Sequence, residues 1–256
     1  MNSDSLVIIP TYNERENISA IIHAVLDVAA HQFDVLIVDD NSPDGTAAIV
    51  EAMMAECPER IHLLKRAGKL GLGTAYIAGF KWALERHYEY IIEMDADFSH
   101  PVDKLPELQA TCATGGADVA VGSRYISGVN VVNWPMGRML MSYYASAYVR
   151  LVTGMKVRDA TAGYVCYRRE VLQSINLDGI EFKGYAFQIE MKFTAHCMGF
   201  IIKEVPIVFI NRVLGTSKMN SSIFFEALWG VIKLRLDSMF NKKRFTRMPL
   251  PKQLTQ

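Results

Sequence analysis

The chain has 256 residues, of which half are hydrophobic and 21% charged; that is enough to bury a full core, and it excludes disorder along the whole length. Lysine and arginine number 27, as do aspartate and glutamate, and this zero balance argues against a general nucleic-acid binder, which needs an excess of positive charge. The four cysteines, at 57, 112, 166 and 197, have neither C-x-x-C nor zinc-finger spacing, so they read as small buried apolar residues in a reducing compartment.

The first half alternates short apolar runs with helix-length segments. Strands are predicted at Leu6–Ile9, Val35–Val38, Ile61–Leu64, Tyr90–Met94 and Val119–Val121, and helices at Glu16–Ala30, Thr46–Glu56, Thr74–His87 and Asp103–Thr114. The strands are continuous apolar runs, the mark of a parallel sheet covered on both faces, so the class is α/β with a mostly parallel central sheet flanked by helices. Beyond residue 125 the rhythm loosens. Met136–Val152 reads as a helix, Tyr164–Tyr167 as a strand, Phe187–Cys197 as a helix, Ile201–Phe209 as a strand and Ser222–Phe240 as a last helix.

Met1–Ser5 has no basic leader region, and Leu6–Ile9 is too short for a signal core. No run reaches the roughly 18 uninterrupted apolar residues of a spanning helix. The nearest, Ile223–Phe240, is broken by Glu226, Lys233, Arg235 and Asp237. On that last helix Ser222, Glu226, Gly230, Lys233 and Asp237 share one face, and Trp229 and many aliphatic residues occupy the rest. Lys242, Lys243, Arg244 and Arg247 follow. This pattern fits an interfacial helix on an anionic leaflet, or equally a helix docked on the body or on a partner subunit. Leu140, Tyr144, Ala147 and Leu151 form a second stripe, read either as a soft apolar groove or as core.

Ligands of open parallel sheets bind beyond the carboxyl ends of the strands. Here those ends carry Pro10-Thr11-Tyr12-Asn13-Glu14, then Asp39-Asp40-Asn41-Ser42, then Lys65-Arg66 and a glycine segment from Gly68 to Gly73, then Asp95-Ala96-Asp97-Phe98-Ser99-His100, then Gly122-Ser123-Arg124-Tyr125. Asp95 and Asp97, i and i+2 at a strand exit, point the same way and suit a hard divalent cation, Mg²⁺ or Mn²⁺, that neutralises a diphosphate. A solvated acidic turn is the plainer alternative. Asp39-Asp40 is a candidate for ribose or base contact, or else a helix-capping turn, and Arg124, Arg138, Arg212 and Lys218 are candidates for phosphate, or else surface salt bridges. The glycine spacing is neither that of a dinucleotide fold nor that of a P-loop, and it reads equally as a tight turn or as a loop that brings Lys69 to a nucleotide. The histidines read as structural, with His100 singled out by its place beside the acid pair.

Together with Asn211-Arg212-Val213-Leu214-Gly215-Thr216-Ser217-Lys218, these motifs resemble family 2 glycosyltransferases of GT-A fold, and within them the polyprenol (dolichol) monophosphate mannose synthases, over roughly residues 6 to 236. The resemblance implies a GT-A nucleotide-diphospho-sugar transferase over 1–220 and an amphipathic interfacial helix with a basic tail over 221–256. It implies that Pro10, Tyr12, Glu14, Val38 and Asp40 line the nucleotide and that Ala96 lies against its sugar. Asp95, Asp97 and Ser99 would hold Mg²⁺ or Mn²⁺. Arg124 would bind at the donor–acceptor junction, Arg138 near the acceptor phosphate, and Arg212 and Lys218 over the diphosphate. The implied reaction is inverting transfer from GDP-mannose to a polyprenyl phosphate at the cytoplasmic face of a membrane. The protein would be peripheral there, with a small membrane-anchoring subunit as a further partner and no nucleic acid. Two positions depart from the family pattern. Ser99 stands where some relatives carry glutamine, which leaves room for water in the metal shell. Val165 stands where a basic residue is usual, which changes the grip on acceptor or leaving group and allows another sugar or acceptor. The competing readings are the same acceptor with another donor, such as UDP-glucose, and a non-catalytic nucleotide-binding, membrane-associated subunit.

Overall fold

A computed structural model describes residues 3–29, 32–184, 186–211 and 221–249, with backbone alone over 221–227. Strand β1 (Ser5–Thr11), helix α1 (Ile18–Asp27), β2 (Phe33–Asp39), α2 (Thr46–Glu56), β3 (Ile61–Lys65), α3 (Leu72–Leu84) and β4 (Tyr90–Glu93) form the first half. A 3₁₀ turn (Val102–Lys104) leads into α4 (Leu105–Ala113) and β5 (Val119–Ser123). There follow β6 (Val131–Val132), α5 (Met136–Thr153), β7 (Val165–Arg168), α6 (Arg169–Ser174), α7 (Ala186–Cys197), β8 (Ile202–Pro206), β9 (Phe209–Ile210), α8 (Ser221–Phe240) and a 3₁₀ turn at Lys242–Phe245.

The main sheet has the order β3-β2-β1-β4-β7-β5-β8. All its pairs are parallel except those of β7, which runs antiparallel to both β4 and β5. Because side chains alternate along a strand, Leu6, Ile8, Leu36 and Val38 enter one core with α3, α6 and α7. Val7, Ile9, Val35 and Ile37 enter the other with α1, α2 and α4. Both faces are covered, as continuous apolar strands require.

The single expected strand Ile201–Phe209 is two. Its register on β5 ends at Ser123 opposite Pro206, and with no partner beyond that point the chain leaves the sheet so that Phe209–Ile210 pairs with Val131–Val132. Those two-residue strands and the short α6 carry too little periodicity to be read from sequence.

The stripe Leu140, Tyr144, Ala147 and Leu151 is not core: Leu140, Tyr144 and Leu151 are exposed and Ala147 is half-buried. The buried face of α5 is set by Ser146, Val149 and Thr153. Helix α8 packs on the body: Val231 and Leu234 share a core with Val149, Ile189, Phe193 and Phe245. Of the residues read as its polar face, Gly230, Lys233 and Asp237 make contacts with the rest of the chain, although Lys233 stays exposed. Gly230 abuts Phe182, Lys233 pairs with Glu181, and Asp237 accepts from Arg244 at 2.9 Å. Trp229, Ile232, Leu236, Met239 and Phe240 face out instead.

Close packing of α3 on β1 depends on Gly79, where a Cβ would lie 2.7 Å from Ile8 Cγ2. Gly79→Val should therefore lower unfolding stability by about 1–3 kcal/mol in urea titrations, as overpacked cores do.

Candidate active site

A cavity of about 650 Å³ opens where the strand order reverses, at the carboxyl ends of β1 and β4. The exit of β1 supplies Pro10, Tyr12 and Glu14 to its wall. At the exit of β2 the two acids divide the work. Asp39 Oδ1 accepts from Thr11 Oγ1 (2.9 Å) and Ser42 Oγ (2.6 Å), which builds the turn, whereas Asp40 lines the cavity. Burial pushes the Asp40 pKa up, and Arg66, whose Nη1 lies 2.8 Å from Asp40 Oδ1, pulls it back. Lys69 Nζ sits 4.9 Å above the Tyr12 ring. Gly71 packs closely on Lys183 in the loop before α7 and Gly73 on Phe187 of α7, with the Gly73 N–H donating to Lys183 O at 2.9 Å.

After β4 the chain turns sharply. Phe98 adopts φ 58°, a left-handed conformation costly for a bulky residue, and Asp97 Oδ1 accepts the Ser99 N–H at 3.1 Å. Tyr76, whose phenol burial holds far above its usual pKa, donates to Asp95 Oδ1 at 3.4 Å. His100 is fully enclosed and stacked on Tyr164. Its Nδ1 accepts the Asp95 N–H at 3.1 Å, and burial lowers its pKa against the pull of Asp95, so the ring is neutral with its proton on Nε2, 3.9 Å from Asp95 Oδ2.

Ser99 Oγ is buried and has no hydrogen-bond partner among the described residues. Two carboxylates and this hydroxyl fit the oxygen donor set of Mg²⁺ or Mn²⁺, which takes the rest of its shell from phosphate and water. No group of three or more His, Cys, Asp or Glu among the described residues could hold a metal by itself, so an ion here would lean on a bound diphosphate.

The antiparallel β7 places its entry loop, rather than its exit, on this rim. Asp159 in that loop is buried and holds Arg124 through both oxygens, Nε to Oδ2 at 2.7 Å and Nη2 to Oδ1 at 2.6 Å. Arg124 Nη2 also donates to Thr161 at 2.9 Å. Arg138 lies 4.1 Å over the Trp134 ring and donates to Asn211 Oδ1 at 3.0 Å. Below Asp95, the Glu93 carboxylate is buried with Lys192 from α7. Burial pushes the Glu93 pKa up and the Lys192 pKa down, each opposed by attraction to the other. Lys192 Nζ donates to Ala162 O at 2.6 Å and to Gln188 Oε1 at 3.3 Å.

Residues 6–175 match the family model described as Glycosyl transferase family 2. The chain belongs to that family. The transferase is 48% identical over 238 residues to a polyprenol monophosphomannose synthase of Mycolicibacterium smegmatis, covering 91% of this chain and 89% of that one. It is 47% identical over 228 residues to an undecaprenyl-phosphate mannosyltransferase of Micrococcus luteus, covering 89% and 92%. A solved glucosyl-3-phosphoglycerate synthase of Mycobacterium tuberculosis, in complex with Mn²⁺, UDP and glucosyl-3-phosphoglycerate, shares the fold with a TM-score of 0.64 at 18% identity, over 97% of this chain and 81% of that one.

Of the transferase residues singled out in the sequence, Pro10, Tyr12, Glu14, Asp40, Asp95, Ala96, Asp97, Ser99, Arg124 and Arg138 all line the cavity. Val38 does not: it lies within β2, where α3 covers its side chain, whereas Asp40, two residues on, lies past the end of the strand and reaches the cavity. Val165 is likewise a core residue. Arg212 and Lys218 lie outside the described residues. Tyr76 and Asp159 stand in motifs that resemble the family, but sequence reading gave them no role, and it missed Gln188 and Lys192. The available signal was Gln188, Glu190 and Lys192 spaced along α7, whose residues 186–195 are all buried, since buried polar groups need partners.

Asp159→Ala should cost the transferase about 3–5 kcal/mol, the loss expected when one partner of a buried pair is removed. Burial opposes ionisation of Asp159, but Arg124 wins and holds its pKa below the ordinary 3.8. A depressed pKa stabilises the fold above the unfolded value, so urea titrations should show the gap between wild type and variant constant from neutral pH down to about 4 and shrinking below it.

Proposed function

We propose that the transferase moves a mannosyl group from GDP-mannose to the phosphate of a polyprenyl phosphate, with inversion, to give a β-linked mannosyl phosphate lipid. The observation that carries this reading is the 48% and 47% identity, across 91% and 89% of the chain, to relatives named for that sugar and that class of lipid phosphate.

The cavity chemistry supports it. Pro10, Tyr12, Glu14 and Asp40 line its nucleotide end, with Lys69 beside them. Arg124, held by Asp159, and Arg138, stacked on Trp134, are oriented to receive the acceptor phosphate and to offset repulsion between two anions. A phosphate oxygen is already anionic at neutral pH, so attack on the anomeric carbon requires no strong general base. Mg²⁺ or Mn²⁺, when bound by Asp95, Asp97 and Ser99, would neutralise the departing diphosphate. Arg212 and Lys218 are assigned to the same diphosphate. The opposite wall is apolar: Met141, Ala145, Val149, Leu228 and Val231 suit the first isoprene units. No helix among the described residues is long and apolar enough to cross a membrane. The exposed Met136, Leu140, Tyr144 and Leu151 of α5 and Trp229, Leu236 and Phe240 of α8, with Lys242 and Lys243 beyond, suit peripheral contact with an anionic leaflet, the cytoplasmic one.

Asp97→Ala should reduce mannosyl transfer at least about a thousandfold while the unfolding midpoint stays put, and EDTA should do the same to the wild type. Both are read by mass spectrometry of products from a panel of nucleotide sugars and a short polyprenyl phosphate, and unchanged turnover in either would remove the metal assignment. Because Val231 and Leu234 belong to the core, membrane contact is tested by surface changes rather than by deleting α8. Trp229→Glu with Phe240→Glu should weaken co-sedimentation with anionic liposomes about tenfold or more at unchanged stability.

A further inference from the structure

Helix α7 runs through the interior with every residue from 186 to 195 buried, and it brings one polar side chain to the cavity wall. That side chain is Gln188, 3% exposed. The direction of its amide is set from behind. Lys192, one turn along the same face and itself wholly buried, donates to Gln188 Oε1 at 3.3 Å, and an ammonium has only donors to offer. The acceptor end of the amide therefore faces Lys192, and Nε2 is the end left over. Nε2 is buried, and its hydrogen bond to the Glu93 carboxylate is poorly aligned. A Cβ placed on Gly163 would lie 3.8 Å from Nε2 and 3.9 Å from His100 Cε1, so the amide nitrogen stands across a glycine from the ring that carries the Asp95 contact. Gly163 and His100 also line the cavity.

An amide nitrogen carries two N–H donors, and Glu93 can take at most one of them. Native folds rarely leave such a group unmade, and a buried donor on a cavity wall is commonly completed by what enters the cavity. Resting on the glycosyl-transfer reading above, we propose that Gln188 is a specificity-determining residue of the donor site, whose Nε2 donates a hydrogen bond to a hydroxyl of the hexosyl group beside Asp95 and Asp97. A hydroxyl is the fitting partner, since it can accept the Nε2 hydrogen and donate its own in turn to a neighbouring carboxylate. Sites that hydrogen-bond a substrate hydroxyl discriminate strongly against analogues that lack it, because the site's own polar group is then stranded.

The test compares the affinity for a nucleotide sugar with that for its nucleoside diphosphate, by calorimetry with Mn²⁺, in the wild type and in Gln188→Met. The variant should keep nucleoside diphosphate affinity within about twofold and lose about ten- to a hundredfold on the nucleotide sugar. Across monodeoxy-hexosyl donors, the one lacking the partner hydroxyl should bind wild type and variant alike. Should Gln188→Met fail to fold, Gln188→Glu retains an acceptor for Lys192, removes the donor and is read in the same way. An unchanged ratio of the two affinities in the variant overturns the proposal, as does a wild type for which the sugar adds nothing to nucleoside diphosphate affinity. A wild type that binds nucleotide hexose but transfers no mannose to polyprenyl phosphate overturns the mannosyl reading and leaves Gln188 in its role.

Discussion

Crowding of acids on one rim of the sheet is the constraint around which this molecule is organised. Asp40, Glu93, Asp95, Asp97 and Asp159 converge there, and like charges in a partly dry cavity repel one another. Fixed cations answer them: Arg66 lies 2.8 Å from Asp40, Arg124 lies 2.6 Å from Asp159, and Lys192 is buried with Glu93. The cations come from the exits of β3 and β5 and from α7, while the acids come from the exits of β2 and β4 and the entry of β7. Charge balance at the site is thus available only once the sheet has its native strand order. Removing one partner leaves an uncompensated buried charge, so the same pairs that shape the cavity also stabilise the fold.

Antiparallel β7 gives the cavity its second half. A purely parallel sheet would send the loop ahead of that strand to the opposite rim. Reversing it brings Asp159, Thr161, Ala162 and Gly163 to face the exits of β1 and β4. Arg124 then gains its carboxylate, and Lys192 gains the Ala162 carbonyl. The polar end of the cavity is built by the sheet and its apolar end by α5, α7 and α8, so a charged headgroup and a hydrocarbon chain would meet different walls of one space.

Helix α8 shows how a correct periodicity can point the wrong way. The stripe containing Gly230, Lys233 and Asp237 was legible, and solvent is the ordinary home of such a stripe. Glu181, distant in sequence, draws it toward the body instead, with Arg244 bridging Glu181 and Asp237, while Gly230 leaves room for Phe182. Trp229, Leu236 and Phe240 are left outside, which water alone would not favour. The stripe on α5 fails similarly. Residues at helical spacing share a face, but nothing within the helix says which face meets a neighbour.

The apolar runs of β1, β2, β4 and β5 were enough to establish an α/β sheet covered on both faces, and the polar residues directly after them were enough to find Asp40, Asp95, Asp97 and Arg124. Both signals are local, a few residues of hydrophobicity followed by a few of chemistry. Tertiary structure alone decided that Val38 is core while Asp40 is wall, that β7 is reversed, and that Gln188 and Lys192, spaced like any polar pair on a helix, are buried against the cavity. Those outcomes depend on which surfaces pack together across a hundred or more residues, and no pattern confined to one segment encodes its partner.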